Sequence, residues 1–447
     1  MRSSTTSKFR RFWQWIYLKL RWLVPGIGVK RWVLVILAGT TLLGLGLAVY
    51  LLDLYRNVPE SWFLPFVKIV SLQFIQLRVL RALIFGLLGV GLIIVGILGL
   101  NRALLRPFMR PGRDVIDTMV EFQRRDKGPR IVVIGGGTGQ ASVLRGLKQY
   151  SRNITAVVTV ADDGGSSGEI RRTMGILPPG DIRNCLAALS NDEELLSQMF
   201  QYRFGSGAGL NGHSLGNLLI TALTELTGSF EEAIAESGRV LAVQGNVYPS
   251  TLKNINLVAK VQMPDKNVEV NVKGESHISN MGGRVMQVWL DPANPPPYPP
   301  TTQAILAADL IVIGPGSLYT SIIANLLVPD LVAAIRASKA CKFYVCNVAT
   351  QPGETDGYSC EEHINRIEEH AGHRLFDLVI ANNRCEGNLP EKIDWVKVND
   401  PDARHDIYQT DLVDPENPWR HDSKKVAKAI IDLYMERTGP LSSGGGS

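Results

Sequence analysis

The residues in this chain best suited to chemistry are short polar runs, each rich in glycine and each following an apolar stretch. The first is Gly135-Gly136-Gly137-Thr138-Gly139, entered from the apolar Ile131 to Ile134. Glycines in such a turn let the backbone approach a phosphate, and the N-terminus of the following helix presents unpaired N–H groups to it. The run departs from the standard fingerprints. A dinucleotide motif counted from Gly135 needs glycine at position 140 and finds Gln140. Counted from Gly137 it fails at Ser142, and no GxxxxGK[ST] loop occurs.

The second run is Asp162-Asp163-Gly164-Gly165-Ser166-Ser167-Gly168. Paired carboxylates beside small residues can hold Mg²⁺ against a diphosphate, hydrogen-bond a ribose or accept a proton; the plain alternative is a surface turn. Asp162 and Asp163 are therefore candidates for both catalysis and metal binding, with Gly164, Ser166 and Ser167 as ligand contacts. Next comes Pro178-Pro179-Gly180-Asp181-Ile182-Arg183-Asn184. Asp181 suits the N-cap of the apolar helix that follows. Arg183 and Asn184 then fall in its first turn, where positive charge opposes the helix dipole and points to an anionic partner. The run Gly209 to Asn217 opens another apolar helix and supplies His213, Ser214 and Asn217. His213 is a candidate general acid or base, or else a donor to phosphate or sugar.

A later segment repeats the first in design. The apolar Leu310 to Ile313 runs into Gly314-Pro315-Gly316-Ser317, with Tyr319 and Thr320 entering a helix. Two such turns at the ends of parallel strands would face each other across one crevice. Further strands, Lys342 to Val348 and Leu375 to Ala381, end in polar edges that carry Tyr358 and Arg384.

The elements that must position these runs follow from the pattern. Strand, glycine turn, helix and strand Ile154 to Val160 open a doubly wound, Rossmann-like α/β sheet. Residues 239–300 read differently. Val240 to Gln244, Asn256 to Val261 and Val268 to Val272 alternate like antiparallel or edge strands, an inserted β section that ends in a proline-rich connector.

Composition assigns the remainder. The chain has 447 residues and a net charge of +5. Arg2, Lys8, Arg10, Arg11, Lys19, Arg21, Lys30 and Arg31 precede the first long apolar run, with no acidic residue among them. A basic tract abutting an apolar run sets membrane orientation rather than binding nucleic acid. Residues 32–52 and 82–100 are apolar and uncharged, about the 20 residues a bilayer core requires, and read as a transmembrane hairpin. The expected order is a basic cytoplasmic N-terminus (1–31), the hairpin (32–100), a connector (101–129), one nucleotide-binding domain (130–438) and a flexible tail (439–447). Arg102, Arg106, Arg110 and Arg113 place the connector, and with it the domain, on the cytoplasmic side of the plasma membrane. The five cysteines form no CxxC pair, so they read as reduced thiols, and no metal signature such as HExxH occurs.

Six ordered motifs, from Gly135–Gly139 through Asp162–Gly168, Pro178–Asn184, Gly212–Asn217 and Gly314–Thr320 to Thr350–Gly357, resemble the YvcK-like gluconeogenesis factors. These are relatives of the CofD family of 2-phospho-L-lactate transferases. The resemblance covers residues 130–437 and implies a Rossmann-like sandwich. For the YvcK-like branch it implies a binder of UDP-activated sugars that influences envelope building, cell shape and carbon metabolism, together with partners in envelope synthesis and self-association. For the transferase branch it implies phospholactyl transfer from a guanosine diphosphate adduct to a deazaflavin, with a divalent metal. The run Trp419-Arg420-His421-Asp422 also resembles a family element, with Arg420 placed to meet a diphosphate. Most relatives are soluble, so the hairpin favours work at the membrane surface.

Overall fold

The computed structural model describes residues 29–54, 77–105, 125–126, 128–191, 195–207, 209–263, 268–399 and 404–439. The basic N-terminus, the loop between the two apolar helices, most of the connector and the tail lie outside the described residues. The chain divides into two compact units, Met1–Met119 and Val120–Ser447.

In the first unit, helices α1 (Val29–Leu54) and α2 (Arg78–Leu105) contain the two apolar runs. They pack antiparallel along glycines. A methyl group added to Gly89 would sit 2.9 Å from the Gly39 carbonyl, and one on Gly99 would sit 2.2 Å from the Trp32 ring. Small residues bring helix backbones together where burial of apolar surface offers no drive. Among the described residues, one straight helix is long and apolar enough to cross a membrane, over Leu83–Leu100, and Leu34–Ala48 is a shorter apolar stretch.

The second unit is built on a seven-stranded sheet. Its strands are β1 (Ile131–Gly135), β2 (Ile154–Val158), β3 (Asn246–Pro249), β7 (Leu310–Ile313), β8 (Cys341–Val345), β9 (Leu378–Asn382) and β10 (Ile407–Thr410), in the order β10-β9-β8-β7-β1-β2-β3. Every pairing in it is parallel. Strands β1, β2, β7 and β9 are buried along their whole length, which is why they read as unbroken apolar runs rather than alternating ones. The flanking helices are α3 (Gly137–Leu147), α4 (Gly165–Met174), α5 (Gly180–Leu189), α6 (Leu195–Gln201), α7 (Leu215–Thr227), α8 (Phe230–Val240), α9 (Glu275–Asn280), α10 (Pro299–Ala307), α11 (Pro329–Ala337), α12 (Cys360–Ala371) and α13 (Ser423–Thr438). A π-helical segment, Leu318–Ile323, leads from β7 into this set.

The inserted section forms a separate antiparallel sheet, β5-β4-β6, from β4 (Asn256–Gln262), β5 (Glu269–Lys273) and β6 (Arg284–Asp291). The expected strand over Val240 to Gln244 is not formed. Val240 ends helix α8, and the chain then enters β3, which pairs parallel with β2 in the main sheet. A tertiary strand pairing outweighed local alternation there. Arg171 ties the small sheet down, donating from Nη2 to Ile255 O at 2.5 Å and to Asn256 Oδ1 at 3.0 Å.

Candidate functional site

Chain order reverses direction between β1 and β7, which lie side by side in the sheet. Open α/β sheets place ligands at that switch point, outside the carboxyl ends of the strands. The two glycine turns meet there. A Cβ on Gly139 would lie 2.7 Å from Pro315 O, and one on Gly316 would lie 3.3 Å from Gly136 O. Asn347 fixes the second turn by a reciprocal pair, with Nδ2 donating to Gly316 O at 2.8 Å and Oδ1 accepting from Gly316 N at 3.1 Å. Asn325 Nδ2 donates to Gly135 O at 2.7 Å and fixes the first.

Between the turns opens a cavity of about 550 Å³. Of the residues singled out from the sequence, Gly136, Gly137, Thr138, Gly139, Asn184, Gly316, Ser317 and Arg420 line it. Gln351 and Trp419, which fall within motifs quoted from the sequence without a role of their own, line it too, and so do Arg145 and Asn347, which sequence reasoning missed. Arg145 follows from helical spacing after the first turn; Asn347 comes from a remote loop and carries no local signal. The Arg145 and Arg420 guanidinium groups have no hydrogen bond or ion pair among the described residues. Gln351 donates from Nε2 to Ser317 Oγ at 2.6 Å, and its buried Oε1 has no partner there. His421 also lines the cavity. Its Nε2 meets Cys346 O at 3.0 Å, and burial pushes its pKa down to about 4, so it is neutral at pH 7.

Behind the first turn lies an acidic group. A Cβ on Gly136 would lie 2.7 Å from Asp181 Oδ2, and one on Gly180 would lie 3.3 Å from Asp162 Oδ2. Asp181 is not the N-cap expected from the sequence. Helix α5 starts two residues earlier, with Pro179 at the cap, and the Asp181 carboxylate is free to accept the Gly137 N–H. Burial and the neighbouring Asp162 raise the Asp181 pKa to about 6. Burial raises Asp162 as well, against the Gly164 N–H at 2.8 Å from its Oδ1. Glu275, from the inserted section, is pushed well up by burial and then by Asp162, Asp181 and Glu354.

The two members of the aspartate pair point to different tasks. Asp163 Oδ1 accepts the Ser276 N–H at 2.9 Å, which anchors helix α9 of the inserted section. No group of three His, Cys, Asp or Glu side chains arranged for a metal ion occurs among the described residues. Divalent magnesium usually takes only one or two carboxylates and completes its shell with phosphate oxygens and water. Asp162 and Asp181 are neighbours behind the first turn, whereas an oxygen of Asp163 is engaged by Ser276.

His213 is buried in a network that the sequence did not reveal. Its Nδ1 lies 3.0 Å from Ser166 Oγ and its Nε2 lies 3.2 Å from Glu169 Oε2. Asn217 Nδ2 donates to Ser166 Oγ at 3.0 Å, and Arg183 Nη1 donates to Ser214 Oγ and to Asn217 Oδ1. Arg183 Nη2 donates to Asn184 Oδ1 at 2.9 Å, which links this network to the cavity wall. Asp162, Asp163, Gly164, Ser166, Ser167, Arg183, His213, Ser214 and Asn217 therefore lie beside the cavity rather than along it. Gly135 ends β1 and Gly314 follows β7, so both shape the turns without lining the cavity.

Four further candidates are placed elsewhere. Tyr319 and Tyr358 bond to each other through their hydroxyls at 3.0 Å in the core, where burial and this partner hold Tyr319 protonated. Thr320 Oγ1 donates to the buried Glu354 at 3.0 Å. Arg384 is exposed and pairs with Asp411 and Glu386, each at 3.4 Å.

Known proteins share this fold. Residues 131–438 match the family profile described as 2-phospho-L-lactate transferase CofD. The gluconeogenesis factor of Bacillus subtilis (strain 168) is 43% identical over 321 residues, which covers 69% of this chain and 99% of the relative. A protein of Nostoc sp. (strain PCC 7120) that bears the name of a candidate gluconeogenesis factor is 43% identical over 431 residues, covering 93% of this chain and 92% of its own. The crystal structure of protein BH3568 from Bacillus halodurans superposes with a TM-score of 0.64 at 43% identity, covering 68% of this chain and 99% of the other. The chain belongs to the CofD family, within its gluconeogenesis-factor, YvcK-like branch.

Proposed function

We propose that this protein is a membrane-anchored binder of a nucleoside diphosphate sugar, of the UDP-sugar type, that regulates cell envelope synthesis, cell shape and carbon metabolism. The observation that carries the reading is the cavity at the switch point. Two glycine turns bring backbone to it, and two guanidinium groups without an ion pair among the described residues, Arg145 and Arg420, line it. A diphosphate supplies the missing anion, and charge-assisted contacts of that kind are the strong ones. The Trp419 ring and the amides of Asn347 and Gln351 offer stacking and hydrogen bonds to a base or sugar. Magnesium, where present, would be held by Asp162 and Asp181 against the phosphates and would neutralise their charge.

The transferase reading rests on the family description and on the same acidic pair. It requires a second pocket for a flat acceptor and metal dependence, and the binding reading requires neither. Anchoring rests on the apolar Leu83–Leu100 helix and on the shorter apolar stretch packed against it. The protein then acts at the cytoplasmic face of the plasma membrane, where envelope precursors are consumed.

Calorimetric titration with UDP-N-acetylglucosamine, with and without Mg²⁺ and with GDP for comparison, tests the proposal. Saturable, uridine-selective binding without turnover is expected, and Arg420→Ala should weaken it by about 1.5–3 kcal/mol, the worth of a charge-assisted hydrogen bond. Metal-dependent preference for GDP would instead support the transferase.

A further inference from the structure

A second cavity, of about 460 Å³, opens at the opposite edge of the main sheet, where the strands begin. Four cations line it, Arg336, Lys342, Arg374 and Arg437, against the single carboxylate of Asp377. Lys342 is held locally, with Nζ donating to Ser338 O at 2.9 Å and to Ala340 O at 3.2 Å, so it contributes charge rather than a free donor. Arg437 pairs loosely with Asp406 at 3.5 Å. Arg336 and Arg374 form no hydrogen bond or ion pair among the described residues. The dipole of helix α11 accounts for Arg336, which lies in its last turn. It does not account for Arg374, which stands in the loop after α12 beside the buried Phe376. Two exposed guanidinium forks converging on one cavity match the geometry by which phosphate is bound.

The position of this cavity matters. The backbone bonds Asp309 N to Arg130 O, Cys341 N to Asp309 O and Asp377 N to Lys342 O run along that edge, at 2.9, 3.1 and 2.8 Å. The chain therefore enters the domain, at Arg130, along the edge that carries the cations. The ligand cavity described above lies at the other edge. Upstream in the chain, α2 ends at Leu105 and β1 begins at Ile131, so about 25 residues join them.

We propose that the cationic pocket formed by Arg336, Lys342, Arg374 and Arg437 binds the phosphates of anionic lipid headgroups and seats this edge of the domain on the membrane surface. The inference rests on the membrane-anchored reading above. On that reading the tether of about 25 residues raises the local lipid concentration at the pocket, and the pocket itself supplies measurable affinity for anionic vesicles. Seating by this edge leaves the nucleotide cavity facing away from the lipid, open to soluble ligand.

The test uses the domain alone, residues 125–439, since the Bacillus halodurans relative crystallised as that domain. Flotation is measured with vesicles of phosphatidylcholine and with vesicles in which phosphatidylglycerol replaces part of it. Binding to the phosphatidylglycerol vesicles only, weakened by salt, is expected. The double variant Arg336→Glu/Arg374→Glu should lose at least about tenfold, in line with the worth of basic side chains at an anionic surface. Arg336→Gln/Arg374→Gln should lose less, and both variants should keep the wild-type melting temperature and affinity for UDP-N-acetylglucosamine. Equal flotation of wild type and variants, no flotation, or capture of inorganic phosphate without vesicle binding would each overturn the proposal. Extraction of the full chain from membranes tests the anchor separately, so the two readings can fail independently.

Discussion

Asp181 carries a carboxylate in a setting that disfavours its charge. An unfolded aspartate releases its proton near pH 3.9, roughly. The folded one does so at about 6, through burial and the nearby Asp162. Between those values the folded state holds more protons than the unfolded one, so stability falls as pH rises through the window. Asp162, Glu275 and Glu354 are raised too and act in the same direction. Replacing Asp181 with Asn removes the charge and keeps an acceptor for the Gly137 N–H. Urea unfolding of the domain across this range should show Asp181→Asn more stable at neutral pH by about 1–3 kcal/mol and with a flatter pH slope, a size set by the width of that window. An unchanged slope would mean that Asp181 ionises normally. Under the proposed function a bound diphosphate would raise these carboxylates further and Mg²⁺ would lower them, so the slope would also report the metal.

Among the elements, the contact between the two glycine turns is the one that makes a site. Strands β1 and β7 are paired, and their turns must pass within van der Waals distance before the chain enters α3 and the π-helical segment. A Cβ at position 139 would meet backbone, not a flexible side chain, so relief requires the turns to separate. Gly139→Ala should destabilise the domain by about 1–3 kcal/mol, the usual cost of overpacking. It should abolish nucleotide binding in calorimetry while leaving the far-ultraviolet circular dichroism unchanged. Wild-type affinity in that variant would show that the turns are not the phosphate cradle. Gln140 explains why the dinucleotide pattern breaks at this turn. Its Nε2 donates to Val133 O and Val157 O, both at 2.9 Å, and its Oε1 accepts from Cys185. The side chain clips β1 to β2 where a dinucleotide-binding turn has glycine for close packing.

For the whole molecule, the apolar helices and the sheet domain are separate compact units. The Bacillus subtilis relative matches the domain over nearly its full length, whereas the Nostoc relative matches most of this chain. The sheet domain is thus shared by both relatives, and under the proposed function it binds the ligand while the apolar helices set its location. The full chain should stay in the membrane fraction through alkaline carbonate extraction, and residues 125–439 alone should be released by high salt. Recovery of the full chain in the carbonate supernatant would refute the anchor.

Much of this was written locally in the residues. Buried parallel strands must be apolar throughout and must end in turns that small residues can make, so β1, β2, β7 and their glycine loops were legible one by one. The same holds for the apolar runs of α1 and α2, where length and absence of charge speak for themselves. Which loops converge was decided by the strand order, which no single segment encodes. That order brought Arg145, Asn347, Gln351 and Trp419 to the glycine turns, gave His213 its partners, and sent Tyr319, Tyr358 and Arg384 away from the cavity. It also turned Val240 to Gln244 from an expected strand into a helix end and a turn. Periodicity reports a segment's own burial, while a binding site is a set of distances between segments, and those are fixed only when the core closes.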